Sequence, residues 1–194
     1  MSLVNFDILT AGIRLLSMIF LSMNYPGTWL LGIFAAFCSA YNFFSIGYYA
    51  KSAMHITLTV MQCYGWVLWR KEKSPTTYWL RQYILHKPSY PSGLIISSLL
   101  LICMQLSFLY FKTTHTILAL ESLLILLYVM GMNLSIMRVM ESWFVWTLYD
   151  IINAYVLFHA GLMYNAFTCL CYLLFVLPGF KKWTTFLEPP IAQK

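Results

Sequence analysis

SWFVWTLYDIINAYVLFHAG, residues 142–161, can be laid without gaps over TWLLGIFAAFCSAYNFFSIG, residues 28–47. At this shift of 114 residues Trp29 meets Trp143, Ala40 meets Ala154, Tyr41 meets Tyr155, Phe44 meets Phe158 and Gly47 meets Gly161. The same shift pairs Gly65 with Gly179, Trp69 with Trp183, and Asp7 with Glu121. Tyr- and Phe-rich helices match by chance more often than average. Paired tryptophans and glycines at one gapless offset nevertheless favour an internal repeat.

Each copy holds three apolar spans, at 8–23, 27–45 and 50–69 in the first and 117–137, 142–160 and 163–180 in the second. Their lengths suit helices crossing a hydrocarbon layer of about 30 Å. Three crossings reverse the chain, so a further span at 93–111 restores the direction for the second copy. The expectation is an all-α integral membrane protein with seven transmembrane helices in a 3+1+3 arrangement and parallel repeats. Residues 1–69 form the first repeat, 70–92 a cytoplasmic linker, 93–111 the connecting helix, and 112–194 the second repeat and tail. Such repeats place a substrate between the halves, near the midplane.

Composition agrees. The 194 residues are 61% hydrophobic and only 9% charged, with a mean hydropathy of +0.73; soluble domains carry roughly 25% charged residues. Near-continuous apolar runs favour helices over an outer-membrane barrel. The net charge of +6 is a topology signal. Alternating crossings collect Arg70, Lys71, Lys73, Arg81, Lys87, Arg138, Lys181, Lys182 and Lys194 on one side, against Lys51 and Lys112 on the other. Basic residues mark the cytoplasmic face, so the N-terminus is expected outside and the C-terminus inside, and nucleic acid is not expected as a partner. Arg14 is left over, inside the first span. No basic segment precedes the first span, which reads as retained rather than cleaved. Cys38, Cys63, Cys103, Cys169 and Cys171 all lie in apolar segments and read as packing residues.

On a helix turning 100° per residue, Trp143, Trp146, Asp150 and Asn153 share an arc of about 80°. An aspartate at the bilayer centre costs about 2.5–3.5 kcal/mol, so this stripe should face the bundle interior. Two indoles and a carboxylate suit a flat organic cation, through cation–π contact and charge pairing. A structural aspartate bonded to a neighbouring helix is the plainer alternative. On the third span His55, Gln62, Trp66 and Trp69 share another arc, of about 60°. Gln62 can both donate to and accept from a substrate; His55 reads as a core histidine or a lining residue. Trp69, beside Arg70, reads as part of an interfacial aromatic belt, and Trp29 and Trp183 invite the same reading. Glu121, Ser122 and Glu141 begin helices, where an acid complements the dipole; attraction of a cationic substrate is the other role open to Glu121. His159 has no assigned role. No phosphate-binding glycine loop, HExxH or nucleophilic triad is present, and no cofactor or metal is expected.

At these residues the chain resembles the PnuC family of vitamin transporters. The resemblance spans about residues 7–183 and is strongest in QCYGWVLW (62–69), ESWFVWTLYD (141–150) and the Glu121-Ser122 pair. It implies a fold like a fused pair of SWEET-type three-helix units in a bacterial cytoplasmic membrane. It also implies a homotrimer and facilitated uptake of an unphosphorylated vitamin precursor without ATP hydrolysis. Nicotinamide riboside is the first substrate it implies, and thiamine, riboflavin or a deoxynucleoside are alternatives. Many nicotinamide riboside carriers have Asn at the last motif position, where this chain has Asp150. Trp143, Trp146 and Asp150 occupy the family's motif positions and Gln62 its polar amide position; Trp66, His55 and Asn153 complete the candidate site. A membrane receptor or subunit that transports nothing is the alternative class.

Overall fold

Two turns, equivalent under the repeat, join the helices at one end of the molecule. The computed structural model describes residues 3–45, 49–71, 76–81, 83, 115–159 and 163–187. In it Asn24 and Arg138, the same 114 residues apart, both adopt left-handed backbone, at φ 56° and 53°. Asn24 N–H donates to Leu21 O at 2.9 Å and Tyr25 N–H to Phe20 O at 2.9 Å; Arg138 N–H donates to Ser135 O at 3.0 Å and Val139 N–H to Leu134 O at 2.8 Å. Both are Schellman caps, which satisfy the last carbonyls of a helix. Asparagine visits this conformation readily. Arginine does not, and Arg138 is held there by its surroundings. Its guanidinium lies 4.3 Å from the centre of the Trp69 ring, with Nη2 3.5 Å from the Trp69 carbonyl.

Among the described residues the chain forms six helices: α1 (Leu3–Ser22), α2 (Gly27–Ser45), α3 (Tyr49–Lys71), α4 (His115–Ile136), α5 (Ser142–His159) and α6 (Met163–Thr184). They coincide within a few residues with six of the expected spans. The expected span at 93–111, with Cys103, lies outside the described residues, as does most of the linker; Cys38, Cys63, Cys169 and Cys171 are free thiols. The helices close into a ring. Helix α1 packs against α2 and α6, α3 against α2 and α4, and α5 against α4 and α6.

The outside of the ring is apolar. Leu30, Phe34, Phe37, Tyr41 and Phe44 are exposed along α2, and their repeat equivalents Phe144, Leu148, Ile151, Tyr155 and Phe158 along α5. Apolar faces this continuous are foreign to a soluble monomer and suited to lipid. Ala166–Thr184 is long and apolar enough to cross a membrane alone, while Ile8–Ser22, Gly27–Tyr41 and Leu123–Ile136 are shorter apolar stretches.

At the end where the two turns lie, four indoles fill the ring. Trp29 meets Trp69 edge-to-face at 5.3 Å and 83°, and Trp143 meets Trp183 at 5.3 Å and 80°. Trp69 and Trp183 touch across the middle at 6.1 Å. Gly65 and Gly179 make room: a Cβ on Gly65 would stand 2.8 Å from the Trp29 ring, and one on Gly179 would overlap the Trp143 ring. The halves also cap one another. Trp69 Nε1–H donates to Ile136 O at 3.0 Å, and Trp183 Nε1–H to Leu21 O at 2.9 Å. The expectation of an interfacial belt is therefore corrected, since Trp29, Trp69 and Trp183 are 4%, 2% and 0% exposed. For Trp69 and Trp183 the indole N–H finds a helix-terminal carbonyl and is buried at little cost, whereas Trp29 Nε1 has no hydrogen-bond partner among the described residues.

A piece of the linker is fastened beneath the second half. Thr77 N–H donates to Phe186 O at 2.8 Å and its hydroxyl to Trp183 O at 2.8 Å. Tyr78 N–H donates to Arg138 O at 3.0 Å and its carbonyl accepts Met140 N–H at 2.8 Å. Glu141, expected only to complement a helix dipole, accepts Leu80 N–H at 2.9 Å. The first half has Pro26 where the second has Met140. Proline has no N–H to satisfy, so that position needs no equivalent strap.

Ala at either paired glycine should overpack a rigid indole, at a cost of about 1–3 kcal/mol. Gly65→Ala and Gly179→Ala are each expected to lower the thermal unfolding temperature of detergent-solubilised protein by several degrees, at roughly 2–4 °C per kcal/mol. Unchanged melting would show that the four-indole layer has slack.

Candidate functional site

The polar stripe on α5 does face inward. Trp143 and Asp150 are buried and Trp146 and Asn153 half-buried, while Phe144, Leu148, Ile151 and Tyr155 on the opposite side are exposed. Its members do different things. Trp143 belongs to the four-indole layer, and its Nε1 has no hydrogen-bond partner among the described residues. Trp146 stands one turn deeper. Its Nε1–H donates to Ser135 Oγ at 2.8 Å, and Gly131 lets the indole lie against α4, since a Cβ there would stand 2.9 Å from the ring. Tyr128 and Tyr149 meet Trp146 edge-on at 5.3 and 5.7 Å and each other at 5.4 Å. Rings this close pack on one another and form a wall, with no space for a ligand between them. A ligand would stack on the wall's surface.

Asp150 follows one turn on. It is 2% exposed, and among the described residues its carboxyl takes part in no hydrogen bond or ion pair. A buried carboxylate without a partner is costly, and such groups in membrane helices mark substrate paths. Asn153, further along, donates from Nδ2 to Cys169 Sγ at 3.2 Å and so ties α5 to α6.

On α3, Gln62 is 6% exposed, and its Oε1 has no hydrogen-bond partner among the described residues. The amide lies over Gly32 of α2, where a Cβ would overlap it. Trp66 is half-buried, packs against the indole layer and carries the Arg70 guanidinium 5.1 Å from its ring centre. His55 is half-buried, and its carbonyl accepts the Thr59 hydroxyl at 2.9 Å.

Depth along the bundle sorts these residues. Gln62 precedes Trp69 by seven residues and Asp150 follows Trp143 by seven, so at 1.5 Å per residue both stand about 10 Å from the indole layer. Trp146 and Trp66 lie between that level and the layer. His55 lies two turns beyond Gln62, about 10 Å further, so the structure separates it from the rest. The side chains of Asp7, Glu121 and Ser122 lie outside the described residues. His159 is exposed at the far end of α5, its ring 4.5 Å from that of Tyr155.

Sequence reasoning missed Tyr128, Tyr149, Ser135 and Gly131. Their signal was faint: Gly131 and Ser135 are small residues one helical turn apart in an apolar helix, the spacing that lets a large ring approach a backbone.

A model of the nicotinamide mononucleotide transporter family matches residues 5–185. A crystal structure of the vitamin B3 transporter PnuC superposes with a TM-score of 0.63 at 18% identity, covering 91% of this chain and 79% of that one. At that identity the likeness speaks to the fold, an all-helical transporter fold. No curated protein sequence matches significantly. The matched family and the structural neighbour are transporters and not enzymes.

Asp150→Leu replaces a buried polar group that has no partner among the described residues with an apolar one of similar shape. Relief of about 1–3 kcal/mol should raise the unfolding temperature of ligand-free protein in detergent by a few degrees. A fall instead would reveal a partner that the carboxyl needs.

Proposed function

The chain belongs to the nicotinamide mononucleotide transporter family, a family of multi-pass membrane transporters, and from that premise we propose that it facilitates uptake of nicotinamide riboside across the bacterial cytoplasmic membrane. The observation that carries this reading is the buried Asp150 carboxyl, without a partner among the described residues, level with Gln62 and one turn from the Trp146 wall. The nicotinamide ring of the riboside is flat and cationic. Stacking on Trp146, opposite Trp66, would add a cation–π contact worth about 2 kcal/mol when desolvated. Asp150 would balance the ring's charge or accept from the ribose, and Gln62 would orient the ligand through its free carbonyl. Trp143 would form the floor of the site, while Asn153 and His55 would line the path on the other side.

Charge also favours the riboside over its phosphorylated form. A phosphate adds about −1.5 to −2 charges, which Asp150 would repel. Thiamine is the second candidate, because Asp150 suits its flat cationic ring as well. In the proposed cycle residues 1–69 and 112–194 act as two three-helix bodies in the seven-span 3+1+3 plan, joined by the 70–92 linker and the 93–111 span. They rock about the midplane site without ATP hydrolysis, in a homotrimer with the N-terminus outside and the C-terminus in the cytoplasm.

Labelled nicotinamide riboside should accumulate in cells expressing the protein, and the mononucleotide should not compete. Trp146→Ala and Asp150→Asn should each raise KM at least tenfold, the factor expected from losing about 1.4 kcal/mol or more. Cells that take up thiamine and not the riboside would exchange the two candidates. Uptake of neither would leave the receptor or subunit reading in its place.

A further inference from the structure

The halves match closely where they lock together and differ where a ligand would sit. Under the shift of 114 residues the four indoles, the two glycines and the left-handed turns all coincide. About 10 Å deeper, Asp150 corresponds to Ala36, Gln62 to Val176, Trp146 to Gly32, and Arg14 to Tyr128. Three of these four departures concern residues already placed at the site. Arg14 is the fourth.

Arg14 lies on the inward face of α1, on one stripe with buried Thr10 and Leu21. It precedes Leu21, whose carbonyl caps Trp183, by seven residues, and so stands about 10 Å from the indole layer, level with Asp150 and Gln62. Its one hydrogen bond among the described residues runs from Nη2 to Ser39 Oγ, at 2.8 Å. Ser39 is itself anchored to the Ala35 carbonyl at 2.9 Å. A guanidinium has five N–H donors, so most of Arg14's capacity remains. Helix α6, which carries Tyr172, packs against both α1 and α5, so Arg14 and Asp150 stand on its two neighbours around one interior. The hydroxyl of Tyr172 is buried there with no hydrogen-bond partner among the described residues.

Opposite charges in one low-dielectric interior attract strongly, yet Arg14 and Asp150 form no ion pair. The Ser39 bond holds the guanidinium on the α1–α2 wall, away from α5. An interior with separated poles fits a ligand that is cationic at one end and rich in acceptor oxygens at the other. We propose that Arg14, held by Ser39, is a specificity-determining residue that donates hydrogen bonds to the acceptor oxygens of the ligand whose cation Asp150 receives. Tyr172 supplies a further donor at the same pole. A bare organic cation gains nothing from Arg14 and is repelled by it, so the pair rejects simple cations that Asp150 and the aromatic wall would otherwise accept. This inference rests on the transport reading above.

The test compares two probes in cells expressing wild-type or variant protein at equal level. Labelled nicotinamide riboside carries the flat cation and acceptor oxygens; unlabelled N-methylpyridinium, as competitor, carries the cation alone. Arg14→Gln should raise KM for the riboside at least tenfold, while the inhibitory concentration of N-methylpyridinium stays unchanged or falls. Ser39→Ala should raise KM for the riboside in the same direction by a smaller factor. Should Arg14→Gln fail to fold, Arg14→Lys serves, because it keeps the charge and loses the planar fork; riboside KM should rise with the pyridinium response unchanged. A wild-type KM in the Arg14 variants, or equal weakening toward both probes, overturns the role. Wild-type cells that take up no riboside overturn the transport reading, and this inference with it.

Discussion

Trp69 and Trp183 each donate an indole N–H to the last turn of the other half's first helix, and much of the molecule is arranged around those two bonds. A helix end inside a membrane protein leaves carbonyls that water cannot reach, and each must find a donor. Each half's own Schellman turn supplies some of these donors, and the opposite half's indole adds one more, at Leu21 and at Ile136. The glycines that admit Trp29 and Trp143 set how near α2 can lie to α3 and α5 to α6. Arg138 then covers Trp69 from the turn, and the linker strap covers Trp183 from below. The ring of helices is thus closed at one end by mutual capping and not by apolar contact alone.

That closure explains where the chain can afford to be asymmetric. Positions in the indole layer answer to two partners at once, their own half and the other, so the repeat is preserved there. A level deeper the helices are held from the layer below, and side chains facing the interior are free of that double demand. Arg14, Gln62, Trp146 and Asp150 occupy such positions. A carboxyl unpartnered among the described residues and a guanidinium with donors to spare weaken the empty protein, and burial at the layer offsets the cost. The balance is the usual one between stability and a functional site.

Much of this was legible in the sequence because it is periodic. Six spans and the inward stripe on α5 follow from hydrophobic spacing, and the repeat follows from rare residues at one offset. The burial of Trp29, Trp69 and Trp183 was not legible. An indole near the end of a span, beside Arg70 or Lys182, has the composition of an interfacial belt. What distinguishes it is a carbonyl partner 67 residues away for Trp69 and 162 residues away for Trp183. Glu141 misled for the same reason, its partner Leu80 being 61 residues distant. Arg14 was visible as an oddity, but its neighbours come from α2 across a turn and from the second half. Local pattern reports which face a residue occupies; it does not report who waits opposite.

The closed end also bears on how a rocking cycle would run. Under the proposed orientation this end is cytoplasmic, so releasing a ligand inward requires both indole–carbonyl bonds to part. Their indoles are related by the repeat, with acceptors one position out of register, and meet where Trp69 touches Trp183, so separating one pair strips packing from the other. Each bond contributes about 0.5–1.5 kcal/mol net, a barrier of the same order as one cation–π contact with Trp146. A ligand that stacked equally well in both states would lower nothing, because only differential affinity shifts such an equilibrium. Trp146 stands between the ligand level and the indole layer, bonded through Ser135 to the same last turn of α4 whose Ile136 carbonyl caps Trp69. Displacement of that indole by a bound ring would act directly on the turn that holds the end closed.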